Sequence, residues 1–326
     1  MAAAAEPSIS AVVAAYQAEA WIGEALEAIL GQTRPPEEVV VVDDGSTDGT
    51  ARELERYAGR IRIVRRPNGG CPAAFNTAFR EARGDFVAMC GADDIWEPRK
   101  LEWQAEAIRR HREVDLLFGH ARTFGRIESE HARPPCTGLL DGDSFRNALF
   151  AANCVCAPSV VIRRSLFESL GPFVEKFGAD DYEYWFRCLR AGARFYYDER
   201  PLLRYRQHET NLSAQMGWMD DCTCQVRRWY EADVSDRRVV DAALAPLLFR
   251  IARRKVDEGA TAQARRAFRE SLGHARGLGA SDSARALAWI AVLSLPVRVR
   301  ERAGGGLVTL SRGFDDLLGI RQGAPS

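Results

Sequence analysis

Two pairs of neighbouring aspartates follow apolar segments that have the composition of buried strands. Asp43 and Asp44 end the valine run of VVVVDDGSTDGT (39–50), and Asp93 and Asp94 come shortly after DFVAMC (85–90). Two like-charged pairs in one crevice repel each other unless a cation or hydrogen-bond donors compensate, and carboxylates suit hard cations such as Mg²⁺ and Mn²⁺. An acid pair can also cap a turn. Two pairs at successive strand ends favour a site for a metal-bound anionic ligand.

The first of these segments also fits part of a calcium-binding loop. Residues from Asp44 to Glu55 place acids and a glycine at several positions of an EF-hand loop. Such a loop follows a helix, however, whereas residues 39–42 are four valines, which suit a strand, and two prolines just upstream disfavour a helix. We therefore expect a buried parallel strand whose carboxyl end presents the aspartates.

Residues 8–119 alternate short apolar segments with segments of helical periodicity. Strands are predicted at 8–16, 38–43, 61–64, 85–90 and 114–119, and helices at 18–33, 50–58, 71–83 and 98–111. This alternation is typical of βαβ units and a mainly parallel sheet, in which ligands bind outside the carboxyl ends of the strands. Further along, the pattern predicts a long loop at 120–157, a strand at 159–164, a helix at 180–192 and a strand–turn–strand unit at 194–208.

Composition excludes several classes of protein. The 326 residues can hold one large or two modest domains, and a formal net charge of zero argues against a nucleic-acid partner. Of the eight cysteines, four form C-x-C pairs, which we interpret as reduced buried thiols and not as a zinc site. The chain has neither an 18-residue apolar run nor a basic N-terminal signal region, so a cytoplasmic location is expected.

Five segments together resemble family 2 glycosyltransferases of the GT-A fold. The segments, within residues 9–213, are VVAAYQAEAWIGEALEAILGQT, VVVVDDGSTDGT, NGGCPAAFNTAFREARGDFVAMCGADDIWEP, FGADDYEYWFRCLRAG and YRQHETNLS. The resemblance implies a Rossmann-like, mainly parallel sheet with helices on both faces. It also implies an inverting, metal-dependent transfer of a sugar from a nucleotide-diphosphate donor. The expected nucleotide of the donor is UDP. The acceptor would be a hydroxyl group in glycan, exopolysaccharide or lipopolysaccharide synthesis, on a glycan or a lipid-linked molecule.

The resemblance further implies roles for individual residues. Three are assigned to the nucleotide: Tyr16, Asp44 and Asp93. Two are assigned to Mg²⁺ or Mn²⁺: Asp94, as the direct carboxylate ligand, and His208. Asp181 is expected to be the general base that takes the proton of the acceptor hydroxyl. Three secondary candidates accompany them: Asp43, Asp180 and Arg206.

Two other classes of protein share part of this pattern. A nucleotide-sugar-binding protein without turnover would keep Asp44 and lose the base or metal acids, whereas Asp94 and Asp181 are both present. A nucleotidyltransferase would need a glycine-rich, basic loop after the first strand, and AAYQAEA (14–20) offers none. Neither alternative explains three separate acid clusters as well as displacement of a metal-bound diphosphate does.

A domain boundary is predicted near residue 218, after which the sequence is almost wholly helical. The catalytic domain would span 1–218, with a nucleotide-sugar half at about 8–120 and an acceptor half at about 121–218, and a helical region would span 219–326. In that region, the apolar segment 286–297 precedes Arg298, Arg300 and Arg302 and is too short to span a membrane. Two interpretations stay open: a helix in the interface of the inner membrane face, with the arginines on anionic lipid, or a buried core helix.

Overall fold

One mixed, mainly parallel sheet organises the first of two compact units. The protein is described from a computed structural model, which describes residues 6–175, 177–211 and 215–294. The first unit comprises residues 1–215 and the second residues 216–326. The strands are β1 (Ile9–Ala15), β2 (Glu38–Asp43), β3 (Arg62–Arg65), β4 (Phe86–Gly91), β5 (Ile95–Trp96), β6 (Leu116–Gly125), β7 (Ser129–Glu130), β8 (Gly138–Leu139), β9 (Val161–Arg163) and β10 (Phe195–Gln207). The helices of this unit are α1 (Ile22–Leu30), α2 (Thr50–Glu55), α3 (Cys71–Glu81), α4 (Lys100–Arg110), α5 (Gly142–Ala151), α6 (Arg164–Leu170) and α7 (Asp180–Arg190).

The strand order places the two acid pairs on the same side of the sheet, at the carboxyl ends of its strands. The order is β3-β2-β1-β4-β9-β6-β10-β5, with β7 beside β6 and β8 beside β10. β1 pairs in parallel with β2 on one side and β4 on the other, while β9 is antiparallel to β4 and β6. β10 is parallel to β6 and antiparallel to β5. The mainly parallel sheet is therefore confirmed. Because β2 and β4 are both parallel to β1, their carboxyl ends lie on the same side of the sheet.

Helices cover both faces of the central strands. Val13 of β1 belongs to the same hydrophobic cluster as Leu26 of α1 and Ile108 of α4. Val12, whose side chain points to the opposite face, is also fully buried, and α3 contacts β1 and β2. A strand that is buried on both faces is apolar throughout and does not alternate, which accounts for the valines at 39–42.

The segments at 120–157 and 194–208 differ from their predictions. The first is no long loop: it contains the second half of β6, then β7, β8 and α5, and Asp141 caps α5 by accepting the Ser144 N–H at 2.9 Å. The second is one strand, β10, parallel to β6 along its length, with register shifts between Asp198 and Leu203 where a turn was predicted. Pro201 has no N–H to donate to the ladder, so the strand is irregular there without reversing.

The second unit is helical over its described residues. Its helices are α8 (Met216–Tyr230), α9 (Arg237–Asp257), α10 (Thr261–Gly273) and α11 (Ala280–Ser294). α10 packs against α9 and α11, and the Phe268 ring of α10 contacts the rings of Phe249 and Trp289. In the described part of the chain, no helix is long and apolar enough to cross a membrane.

The apolar segment 286–297 lies only partly within the described residues. Ala286, Trp289 and Leu293 are buried, and Leu287 is exposed. Burial of three of these side chains supports the core-helix interpretation for the part that α11 contains. Arg298, Arg300 and Arg302 lie outside the described residues.

Candidate active site

Asp44 lies beneath the turn that leads into α3. Its carboxylate is 1% exposed and accepts the N–H of Gly69 at 3.1 Å to each oxygen and that of Gly70 at 2.7 Å. Arg66 Nε lies 3.3 Å from Oδ1. Each carboxylate oxygen has two lone pairs, so these donors occupy much of the capacity of Asp44. The residue therefore fixes the loop before α3, a structural role that the sequence did not reveal.

Asp43 and Gly45 shape the loop on the other side of Asp44. Asp43 Oδ1 accepts the Ser46 N–H at 2.9 Å, which closes a tight turn after β2. Gly45 has a φ of +76°, and a Cβ at this position would lie 2.8 Å from the Asn68 nitrogen. Only glycine fits so close to the second loop, so the loops after β2 and β3 are held against each other.

Tyr16 projects from a loop after β1 that hydrogen bonds hold in place. Its side chain is 53% exposed, and the next residue, Gln17, has a φ of +50°. Gln17 Oε1 accepts the N–H of Thr47 at 2.7 Å and that of Asp48 at 3.3 Å, while Gln17 N–H donates to Ser46 Oγ at 3.1 Å. These hydrogen bonds offset a left-handed conformation that costs about 1–2 kcal/mol, and they tie the loops after β1 and β2 together.

Asp93 and Asp94, between β4 and β5, have different surroundings. Asp94 is 1% exposed and its Oδ1 accepts the backbone N–H of Arg206 at 3.0 Å. Burial, and then the charge of Asp93, raise the pKa of Asp94 well above its ordinary value. The Asp93 side chain is 26% exposed, and its Oδ2 lies 2.9 Å from His208 Nε2 and 3.1 Å from Asn211 Nδ2. The structure thus places His208 against Asp93.

Arg206 connects this acid pair to α1. Its Nε donates to the Asp93 carbonyl oxygen at 2.8 Å, and its Nη2 forms an ion pair with Glu24. The guanidinium carbon lies 4.6 Å from the ring centroids of both Trp21 and Phe124. The secondary candidate Arg206 is therefore at the site, with its charge already engaged by protein groups.

Asp180 and Asp181 form the first turn of α7. Asp181 Oδ1 accepts the Tyr182 N–H at 2.6 Å, and Asn153 Nδ2 donates to Oδ2 at 3.4 Å. Burial raises the pKa of Asp181 to about 6, although both hydrogen bonds lower it. Burial, and then the charge of Asp181, raise the pKa of Asp180 well above its ordinary value. With a pKa of about 6, Asp181 can be ionised at neutral pH, as a general base requires.

Cys71, in the first turn of α3, lies within electrostatic range of the three acid clusters. Its side chain is exposed. The protein atoms around the thiol nevertheless displace enough water that this burial raises its pKa well above the ordinary value. The charges of four carboxylates raise it further: Asp180, Asp181, Asp93 and Asp44. Residues from three distant parts of the sequence therefore lie within electrostatic range of one thiol.

The groups at Asp93 fit a divalent cation that is shared with a phosphate ligand. Among the described residues, no three His, Cys, Asp or Glu side chains form a metal-binding group. Asp93 and His208 provide one oxygen and one nitrogen ligand in direct contact. Mg²⁺ in phosphate-binding enzymes commonly takes only one or two carboxylates from the protein and its other ligands from phosphate and water, so this small ligand set is sufficient.

Three side chains at the site were not predicted from the sequence: Trp21, Asn153 and Asn211. Asn211 lies within the segment YRQHETNLS, so its proximity to His208 was the one available signal. Asn153 falls in a segment predicted to be a loop, and Trp21 matched only the apolar spacing of a helix. Nothing in the sequence distinguished these two from ordinary structural residues.

Comparison with known proteins identifies the family. The sequence model of "Glycosyl transferase family 2" matches residues 10–171. An "Uncharacterized glycosyltransferase" of Rickettsia felis is 27% identical over 216 residues, which are 64% of this chain and 36% of that protein. The chain therefore spans only about a third of the length of this relative.

Solved structures share the fold. S. aureus TarS (1–349) in complex with UDP-GlcNAc has a TM-score of 0.65 at 20% identity, over 88% of this chain and 90% of that one. The mannosyltransferase PcManGT of Pyrobaculum calidifontis, in complex with GDP-Man and Mn²⁺, has a TM-score of 0.55 at 21% identity, over 97% and 89%. At these identities the likeness shows the fold alone, which is the GT-A fold expected from the sequence. Residues 10–171 of this chain therefore belong to glycosyl transferase family 2 by their match to its sequence model, and the fold agrees with that match.

Proposed function

We propose that this chain is an inverting transferase that moves a sugar from a nucleotide-diphosphate sugar to a hydroxyl of a glycan or lipid-linked acceptor. The observation that carries the proposal is the convergence of Asp44, Asp93, Asp180 and Asp181 around Cys71. Nucleotide, cation and base are three separate tasks for carboxylates, and the acids come from three separate elements. The acceptor would belong to glycan, exopolysaccharide or lipopolysaccharide synthesis.

The nucleotide is assigned to the loops after β1, β2 and β3, which hydrogen bonds join to one another. There, the exposed Tyr16 ring would lie against the base, and Asp44 would hold the Gly69-Gly70 turn beside it. The remaining hydrogen-bonding capacity of Asp44 would accept an N–H of the base. TarS was solved with UDP-GlcNAc and PcManGT with GDP-Man. UDP is our first choice of nucleotide, with GDP as the alternative.

The divalent cation, Mg²⁺ or Mn²⁺, is assigned to Asp93 and His208. When bound, it would act as a Lewis acid that neutralises the charge of the departing diphosphate. We assign Asp93, in place of the expected Asp94, because Asp93 is the more exposed of the two and contacts His208. Asp94, buried beneath, would hold the end of β10 through the Arg206 N–H.

Asp181 is assigned as the general base. Its carboxylate would take the proton of the acceptor hydroxyl while that oxygen attacks the anomeric carbon from the face opposite the diphosphate. A single displacement of this kind inverts the anomeric centre. Asn153, which donates to Asp181 Oδ2, would orient the carboxylate. Asp180, whose pKa burial and then the charge of Asp181 raise well above its ordinary value, is the neighbouring candidate for the same role.

Calorimetric titration of UDP- and GDP-sugars, with and without Mn²⁺, tests the proposal. We expect tighter binding of one nucleotide class when Mn²⁺ is present, and loss of that difference in Asp93→Ala. Asp85→Ala is the matched control, because Asp85 is an exposed carboxylate immediately before the opposite end of β4. Equal affinities with and without Mn²⁺ would contradict the metal assignment, and absence of binding across the panel would contradict the donor class.

A peripheral location at the inner membrane face is the second part of the proposal. It depends on the basic cluster Arg298, Arg300 and Arg302, which would attract anionic lipid by about 1 kcal/mol per arginine. Replacing all three by glutamine should therefore release the protein from liposomes that contain phosphatidylglycerol, as measured by flotation. Truncation is the weaker test, because α11 carries buried side chains. If the triple variant floats as the wild type does, the cluster does not bind membranes.

A further inference from the structure

Trp21 contacts Arg206, near the end of β10, and His208, immediately after that strand. It is the residue immediately before α1 and is half-buried. Its ring stacks on the imidazole of His208, with centroids 5.5 Å apart and planes inclined by 19°. The Arg206 guanidinium lies over the ring at 4.6 Å. A side chain from residue 21 thus touches the segment that carries the proposed metal-binding histidine.

Different neighbours contact the nitrogen atoms and the face of the His208 ring. Nε2 lies 2.9 Å from Asp93 Oδ2, and Nδ1 lies 2.8 Å from Thr210 Oγ1. Asn211 Nδ2 also lies 3.3 Å from Nε2. These contacts engage the ring nitrogens and therefore hold the edge of the imidazole and not its face. Among the described residues, the stacked Trp21 ring is the aromatic group that covers a face of the imidazole and so restricts its tilt.

We propose that Trp21 is a positioning residue, which holds the His208 imidazole at the tilt where Nε2 and Asp93 Oδ2 can ligate the same divalent cation. This inference rests on the proposed function, because it concerns the cation assigned to Asp93 and His208. The indole of Trp21 offers only a hydrogen-bond donor and cannot ligate a cation. Its effect passes through the orientation of His208.

The end of β10 has other supports that do not involve Trp21. Arg206 is held by its ion pair with Glu24, by its N–H to Asp94 Oδ1 and by its Nε to the Asp93 carbonyl. Removal of the Trp21 ring should therefore leave the strand end in place and free the His208 ring. Loss of a group that orients a metal ligand typically lowers metal affinity 10–100-fold, and we expect a value at the lower end, about tenfold.

The test is calorimetric titration of the full chain with UDP across a series of Mn²⁺ concentrations, or with GDP where UDP does not bind. Trp21→Ala should raise the Mn²⁺ concentration for half-maximal enhancement of nucleotide binding about tenfold. Affinity for the nucleotide without metal should not change. Trp21→Phe keeps an aromatic face for stacking and should restore the Mn²⁺ response to within about threefold of the wild type.

Trp103→Ala is the matched control. Trp103 of α4 is also half-buried, and the guanidinium groups of Arg99 and Arg200 lie 5.1 and 4.6 Å from its ring. It contacts none of the site residues through a described ring or cation contact, so its removal should leave the Mn²⁺ response unchanged. A loss equal to that of Trp21→Ala would show that the effect is general destabilisation and would overturn the proposal.

A double-mutant cycle separates an effect through His208 from every other route. Trp21→Ala should cause no further loss when His208→Ala is already present. If the loss persists undiminished in that background, or if Trp21→Ala alone leaves the Mn²⁺ response unchanged, Trp21 does not position His208. If the wild type itself shows no Mn²⁺ response, the metal assignment of the proposed function fails and this inference fails with it.

Discussion

Replacing Asp181 by asparagine should nearly abolish transfer and at the same time make the protein more stable. Asparagine keeps the shape of the side chain, and its carbonyl can still accept the Tyr182 N–H, now 2.6 Å from Oδ1. It cannot take a proton from an acceptor hydroxyl. General-base assistance contributes about 10²–10⁴ in rate, so turnover should fall by a factor in that range.

The gain in stability follows from the raised pKa of Asp181. The ordinary value is 3.8, and burial raises the pKa of Asp181 to about 6. The folded protein therefore binds this proton more tightly than the unfolded chain, and the wild type loses stability as the pH rises from about 4 to 6. Two pKa units correspond to about 3 kcal/mol, which is the full cost above pH 6 and vanishes below pH 4.

One hydrogen bond reduces the gain. When the carbonyl of the asparagine accepts the Tyr182 N–H, its amide nitrogen faces Asn153 Nδ2. In the wild type, Asn153 Nδ2 donates to Asp181 Oδ2 at 3.4 Å. Loss of one hydrogen bond costs about 1 kcal/mol. The variant should therefore be more stable than the wild type by about 2 kcal/mol at pH 7, and less stable by about 1 kcal/mol below pH 4.

Urea unfolding at pH 4 and pH 7, together with steady-state transfer rates, measures both effects. Asp85→Asn, at an exposed carboxylate, is the control and should change neither quantity. The reasoning is refuted if Asp181→Asn retains near-full activity, or if its stability relative to the wild type does not increase between pH 4 and pH 7. If Asp180→Asn abolishes transfer and Asp181→Asn does not, the base is the neighbouring residue.

Three further outcomes are expected. Wild-type turnover should fall about tenfold per pH unit below pH 6, because the base must be ionised, and a rate that is flat from pH 7 to pH 5 would argue against Asp181. Asp44→Asn would point an amide donor at the N–H of Gly69 or Gly70 and should cost about 1–3 kcal/mol; an unchanged melting temperature would contradict the loop-holding role. Burial lowers the pKa of Lys100 from 10.5 to about 7, so this residue should make wild-type stability rise by about 1.4 kcal/mol per pH unit between those two values and not beyond, and Lys100→Met should remove that slope in urea unfolding.

The strands of the nucleotide half were predictable because their burial determines their composition. The second strand has the predicted bounds, Glu38–Asp43, since a strand covered on both faces is apolar throughout and ends where polar residues begin. β10 was mispredicted because Pro201 and its polar neighbours have the composition of a turn. The parallel pairing with β6 that keeps this segment extended comes from residues about 80 positions earlier, and no local pattern reports it.

The site was predictable at the level of acid clusters and not at the level of individual carboxylates. Asp93 and Asp94 are adjacent, and the sequence cannot show which of them is buried. The difference arises from Arg206, which is 112 residues from Asp94, and from His208, which is 115 residues from Asp93. Contacts of this range depend on strand order, which also explains why the sequence gives no sign that Trp21 lies beside His208.

The most direct test of the central claim is the anomeric configuration of the sugar that the protein releases. UDP-GlcNAc and GDP-mannose, both α-linked donors, would be incubated with Mn²⁺ and the protein, with water as the acceptor. Proton NMR would follow the product before it mutarotates. A single displacement with Asp181 as the base predicts that the β-anomer of one sugar appears first, and that Asp181→Asn releases far less of it. Initial release of the α-anomer, or equal release by the variant, would contradict the account.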